Sequence, residues 1–176
     1  MDNEQARALE VLQAAVDMEV QGKEFYRKAG QKSSNRLAKE LFAQLADEED
    51  VHREKVEEVY EVLKRGRNWP GIEPPCDEGR KIKSLFAEAT AALGSKIQVA
   101  ESELEAIRIA MDMEAESYKL YHSRGEESTL PVERRFYETL AAEERGHHLA
   151  LLDSYEYLSD PAGWFTKSEH WSLDGV

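Results

Sequence analysis

The sequence predicts an all-α protein, a four-helix bundle made of two pseudo-symmetric helical hairpins with a long crossover between its second and third helices. Three observations predict it. The chain repeats itself: AVDMEVQGKEFY at 15–26 returns as AMDMEAESYKLY at 110–121, and LADEEDVH at 45–52 returns as LAAEERGH at 140–147. Glu19 and Glu114, Tyr26 and Tyr121, Glu49 and Glu144, His52 and His147, and Tyr60 and Tyr155 all stand 95 positions apart. Apolar residues recur at three-, four- and seven-residue steps, the period of one helix face. Composition agrees: 34% charged and 41% hydrophobic with only 10 Gly and 5 Pro suits long amphipathic helices better than strands and turns.

Helix 1 is expected over 3–29, on the stripe Leu9, Leu12, Val16, Glu19, Tyr26 and Ala29, with Gly30 as its C-terminal cap. Ser33 and Ser34 are positioned to cap helix 2, expected over about 35–64 and ending before Gly66. The short joint makes the pair antiparallel. Residues 65–79, RGRNWPGIEPPCDEG, hold three prolines and three glycines, which preclude regular structure. A short helix is expected over about 81–93, ending at Gly94. Helix 3 is expected from Ser102, with Glu105 completing a capping box, to about Ser123. Pro131 fits the first turn of helix 4, which reaches about Leu158. The 65–101 connection is long enough to return the chain to its starting end, so helices 2 and 3 run parallel. The bundle thus spans 1–158. The tail, 159–176, carries Trp164, Phe165 and Trp171 without a helical pattern and is expected to close the bundle end or pack on a second subunit.

The net charge of −13 argues against nucleic acid as a partner, because a phosphate backbone calls for clustered Lys and Arg. Cys76 is the sole cysteine, so neither an intramolecular disulfide nor a four-cysteine metal site can form. No apolar run is long enough to span a bilayer, and the N-terminus lacks the pattern of a secretory signal. The expected address is the cytoplasm.

Four glutamates interrupt apolar stripes. Glu19 shares a helix face with Leu12, Ala15, Val16, Gly22 and Tyr26, and Glu114 with Ile107, Ala110, Met111, Tyr118 and Tyr121. Glu49 sits among Phe42, Leu45, Ala46, His52 and Val56, and Glu144 among Tyr137, Leu140, Ala141, His147 and Leu151. A buried, unpaired carboxylate is costly, and two divalent cations against four carboxylates restore neutrality. A lone Glu-x-x-His is weak on so acidic a chain, but two at matched repeat positions, each with a matched Glu on the partner helix, read as six ligands for two metal ions. Glutamates lining a merely structural polar core are the bland alternative. Oxygen and imidazole donors suit iron, manganese or zinc. Tyr26 and Tyr121 lie two turns from Glu19 and Glu114, where a hydroxyl either bonds a ligand carboxylate and handles one-electron intermediates or is core packing. Glu48 and Glu143 either orient an imidazole or lie on a solvated face.

At Glu19, Glu49-x-x-His52, Glu114 and Glu144-x-x-His147 the chain resembles the rubrerythrin branch of the ferritin-like superfamily, over roughly residues 3–158. The resemblance implies a left-handed four-helix bundle, usually oligomeric (a homodimer or larger), around two iron ions. It implies Glu49 and Glu144 as bridging ligands and Glu19 and Glu114 as terminal ones. Two departures stand out. The four-cysteine rubredoxin-like domain is missing, and the further helix 3 glutamate used in redox-linked iron movement is replaced by Ser117, with Gly22 as its repeat mate. The six-ligand set is closer to that of bacterioferritin. The expected function is reduction of hydrogen peroxide, or dioxygen, to water, with electrons from a separate carrier such as a free-standing rubredoxin. Ferroxidation with iron storage is the alternative. Substrate oxygenation and a metal-stabilised bundle without catalysis follow behind.

Overall fold

The computed structural model describes residues 3–95 and 97–166, without the side chains of residues 3 and 4. Its helices are α1 (Asn3–Lys32), α2 (Arg36–Lys64), α3 (Arg80–Leu93), α4 (Glu101–Glu127) and α5 (Pro131–Ser159). No strand occurs among the described residues. The fold is an all-α bundle. α1 pairs with α2 and α4 with α5; α1 also meets α4, and α3 lies against α2 and α5. Tyr26 reaches Glu114 while Tyr121 reaches Glu19, so rising numbers on α1 meet falling numbers on α4 and the two are antiparallel. The chain reverses between α1 and α2, which leaves α2 parallel to α4. Two apolar clusters fill the interior: one gathers Tyr26, Leu41, Phe42, Ile107 and Tyr157, the other Leu12, Val56, Tyr121, Phe136 and Tyr137.

The helix ends differ from expectation in instructive ways. α1 runs past Gly30 to Lys32, because Gly30 serves as a close approach to α2: a Cβ there would lie 3.4 Å from Phe42 Cβ. Asn35, not Ser33 or Ser34, caps α2, its side chain accepting the Ala38 N–H at 3.2 Å. α4 begins at Glu101, and the capping carboxylate is Glu103 rather than Glu105. Ala100 has no side-chain acceptor, so only the return half of a capping box forms, with the Ala100 N–H donating to Glu103 Oε2 at 2.8 Å. The other Glu103 oxygen accepts the Ser34 and Asn35 N–H groups at 2.6 and 2.8 Å, tying the α1–α2 turn to α4. α4 continues beyond Ser123 to Glu127 because Gly125 lets α5 come close: a Cβ there would be 3.3 Å from Glu138 Cγ. The tail is helical over 161–166, opened by Asp160 Oδ1 accepting the Gly163 N–H at 2.9 Å. Trp164 and Phe165 meet Tyr157 edge-on at 5.6 and 6.0 Å. Trp171 lies outside the described residues.

The crossover crosses α5 at its closest point over Gly146, between Glu144 and His147. A Cβ on Gly146 would lie 2.4 Å from the Glu78 carbonyl carbon and 2.7 Å from the Gly79 nitrogen. Gly79 itself has φ +70°, which glycine adopts freely. In an open helix Gly→Ala gains about 1 kcal/mol. Here the obstructing atoms are backbone, so Gly146→Ala is expected to lose about 1–3 kcal/mol in urea denaturation. A gain would show that the crossover yields.

Candidate metal centre

α1 supplies Glu19, α2 supplies Glu49 and His52, α4 supplies Glu114, and α5 supplies Glu144 and His147; each is at most 5% exposed. The apolar faces that carry these side chains are what bury them, because each stripe must turn inward. Their donor atoms form two groups, each within 4.8 Å of one another: Glu49, Glu114, Glu144 and His147 in one, Glu19, Glu49 and His52 in the other. The imidazoles stack at 5.6 Å between centroids, 16° from parallel. His52 Nδ1 lies 3.3 Å from Glu144 Oε1 and 3.8 Å from Glu19 Oε2. His147 Nδ1 lies 3.5 Å from Glu144 Oε2, 3.6 Å from Glu114 Oε2 and 3.9 Å from Glu49 Oε1. Glu144 thus offers one oxygen to each imidazole.

These separations are long for hydrogen bonds, and both Nδ1 atoms, both Glu144 oxygens and Glu19 Oε2 are buried without a partner. Buried polar atoms are rarely left so, and five converging on one space fit a group that ligates all of them. The donors are oxygen and imidazole with no thiolate, which fits a divalent transition metal.

The tyrosines cross between halves. Tyr26 donates to Glu114 Oε1 and Tyr121 to Glu19 Oε1, so each phenol holds the carboxylate of the opposite hairpin. The repeat symmetry breaks at Glu48 and Glu143, both buried rather than solvated. Glu48 Oε2 meets His147 Nε2 at 2.8 Å, which places the proton on Nε2 and leaves Nδ1 free to ligate. Glu143 instead accepts the Asp77 and Glu78 N–H groups, each at 2.6 Å, and so anchors the crossover beside Gly146. His148 stands aside, its Nδ1 3.0 Å from the Met111 carbonyl.

Burial and mutual charge shift the titration of these side chains in opposite directions. Burial, reinforced by Glu19, Glu144 and Glu114, holds the Glu49 carboxyl well above the usual range. Burial and then Glu114 push Glu144 up to about 7. For Glu114 burial acts upward, but His147 overrides it and brings the carboxyl down to about 2. Burial depresses His52, yet Glu144 and Glu19 outweigh it and raise the imidazole to about 9. His147 rises likewise, burial being overcome by Glu114, Glu144 and Glu48.

A cleft of about 110 Å³ opens on Glu49 and Glu114 between α1 and α4. Three repeat pairs line it: Met18 with Met113, Gln21 with Glu116, and Gly22 with Ser117. The small pair makes the opening, since a Cβ on Gly22 would already lie 3.0 Å from Glu49 Oε2. Sequence reasoning missed Trp69, in the crossover. It stands 95 positions before Trp164 and packs against Phe136 and Tyr137. The repeat spacing was the signal that could have found it.

The rubrerythrin family model matches residues 10–155. No curated protein and no solved structure shows significant similarity to the chain.

Proposed function

This chain belongs to the rubrerythrin family, and on that footing we propose that it is a di-iron oxidoreductase that reduces hydrogen peroxide, or dioxygen, to water with electrons from a separate carrier. The observation that carries this reading is the convergence of five partnerless buried ligand atoms from two matched hairpins. Glu49 stands in both donor groups and Glu144 faces both imidazoles, so these two carboxylates would serve both ions, with Glu19 and His52 completing one side and Glu114 and His147 the other. Manganese accepts the same donors. Two bound iron ions supply the electron pair and the Lewis acidity for the reaction.

The protein's own side chains do the rest. Tyr26 and Tyr121 fix the Glu114 and Glu19 carboxylates, and Glu48 fixes the His147 ring, so the ligands are pre-set in orientation. Burial keeps bulk water from the cluster. The narrow cleft favours an oxidant of two heavy atoms over a larger organic substrate, which supports peroxide or dioxygen reduction above substrate oxygenation. With Cys76 the sole cysteine, no second redox centre of the four-cysteine kind lies on this chain, so the reading includes an external donor such as rubredoxin. It also includes a homodimeric or larger assembly.

Anaerobically reduced, iron-loaded protein mixed with peroxide is expected to oxidise rapidly, consuming about one peroxide per iron pair and keeping its metal. Slow oxidation with loss of iron would contradict the proposal. Growth of a ferric mineral in a large shell by size-exclusion mass would favour iron storage instead.

A further inference from the structure

The two halves of the molecule differ in what lies beyond their tyrosines. In the first, Tyr26 stacks on Phe42, with ring centroids 6.1 Å apart and planes 19° from parallel. In the second, Tyr121 stacks in the same way at 6.3 Å and 24° on Tyr137, the residue 95 positions after Phe42. Tyr137 in turn meets Trp69 at 5.7 Å. Trp69 and Tyr137 both line a surface cleft of about 490 Å³, rimmed by Arg7, Arg67 and Arg124. A row of oxidisable rings therefore runs from the cluster to solvent in one half only. In the other, phenylalanine, whose ring lacks the readily oxidised phenol or indole, stands at the first step.

We propose that Tyr121, Tyr137 and Trp69 form a one-electron conduit between the Glu19 side of the metal centre and the surface cleft. The proposal rests on the reading of that centre as a peroxide-reducing site. Peroxide takes two electrons and two protons to give two waters, and both protons come from solvent by way of the cleft at Glu49 and Glu114. When the centre has only one electron to give, Tyr121 supplies the other, and its phenolic proton passes to the Glu19 carboxylate to which it already donates. An electron from Tyr137 restores Tyr121, and the proton returns. The Tyr137 proton passes to Glu133, which lines the same cleft, and returns when Tyr137 is reduced. Trp69 then restores Tyr137, and a small one-electron reductant in the cleft restores Trp69. The oxidising equivalent leaves the interior before it can attack a ligand.

The Trp69 indole nitrogen is buried without a hydrogen-bond partner, so the ring is held by packing against Phe136 and Tyr137. That contact sets the coupling from ring to ring. A purely structural stack would fill space equally well with phenylalanine at 137, as at 42.

The test exposes partly reduced, iron-loaded protein to peroxide and reads oxidation residue by residue by peptide mass spectrometry, with paramagnetic resonance for aromatic radicals. Wild type is expected to accumulate oxidation at Trp69. Tyr137→Phe is expected to lose it, retain a radical at Tyr121 and still consume peroxide; zinc-loaded wild type should show none. Equal Trp69 oxidation in the variant or in the zinc form would mean attack by dissolved peroxide and would overturn the conduit. So would peroxide consumption by wild type with Trp69 untouched and no radical. If wild type consumes no peroxide, the functional reading fails by itself. The conduit is then decided on metal-free Trp164→Phe/Trp171→Phe protein pulsed with azide radical. Transfer from the tryptophan radical to tyrosine that is lost in Tyr137→Phe supports it, and no transfer overturns it.

Discussion

Stripped of metal, Glu144→Gln protein is expected to be about 1–3 kcal/mol more stable than wild type at about pH 8, and no more stable near pH 5. Glu144 is fully buried with both oxygens unpartnered, and burial with Glu114 close by raises its carboxyl to about 7. Above that pH the wild-type apoprotein must hold an ionised carboxylate in its interior, whereas the amide carries no charge. Below it the wild-type group is already neutral and the advantage disappears. The same substitution removes the oxygen pair that faces both His52 and His147, so bound metal is expected to fall from about two ions to one or none. Denaturant titrations in the presence of chelator, with metal analysis of the loaded variant, check both halves. A variant less stable than wild type at both pH values would mean that Glu144 is satisfied by the protein alone.

The stability of the metal-free protein is expected to decline as pH rises from about 5 to 9. Glu144 and His52 both have folded-state pKa values above their unfolded ones, at about 7 and about 9. Groups shifted upward bind more protons folded than unfolded, so their stabilisation is complete below the unfolded pKa and disappears as pH climbs through the folded one. Glu114 is shifted the other way, to about 2, so its contribution holds above the usual carboxylate range and is lost only in strong acid. The apoprotein should therefore be most stable near pH 5. Metal reverses the slope, since cations compete with the protons and bind better as pH rises. With free metal at about 1,000 times Kd, the loaded protein gains about 4 kcal/mol. Thermal midpoints at several pH values, with chelator and with metal, measure this. Parallel curves would show that the cluster does not exchange protons for cations.

The bundle and its polar centre are legible in the sequence for one physical reason: both hairpins bury the same face, so the duplication keeps Glu19, Tyr26, Glu49 and His52 matched 95 residues on. Glutamate in an apolar stripe stands out because burial makes it expensive. The features that escape are those the repeat does not share. Glu103 looks like any surface acid until the fold brings the Ser34 and Asn35 N–H groups to it from 69 and 68 residues away. Gly146 has the exposed Val51 as its mate, and its purpose appears only when the crossover lies against α5. Glu143 is diverted to that crossover while Glu48 holds an imidazole, a difference set by where the 65–79 segment runs. Local pattern reads helix faces well and cannot say which strap covers them.

The most direct measurement is anomalous diffraction at the iron edge from crystals of iron-loaded protein. Two peaks about 3.5–4 Å apart are expected. One should lie beside His52 Nδ1 and Glu19, the other beside His147 Nδ1 and Glu114, with the Glu49 and Glu144 carboxylates between them. An empty cluster with iron only on surface carboxylates would contradict the account.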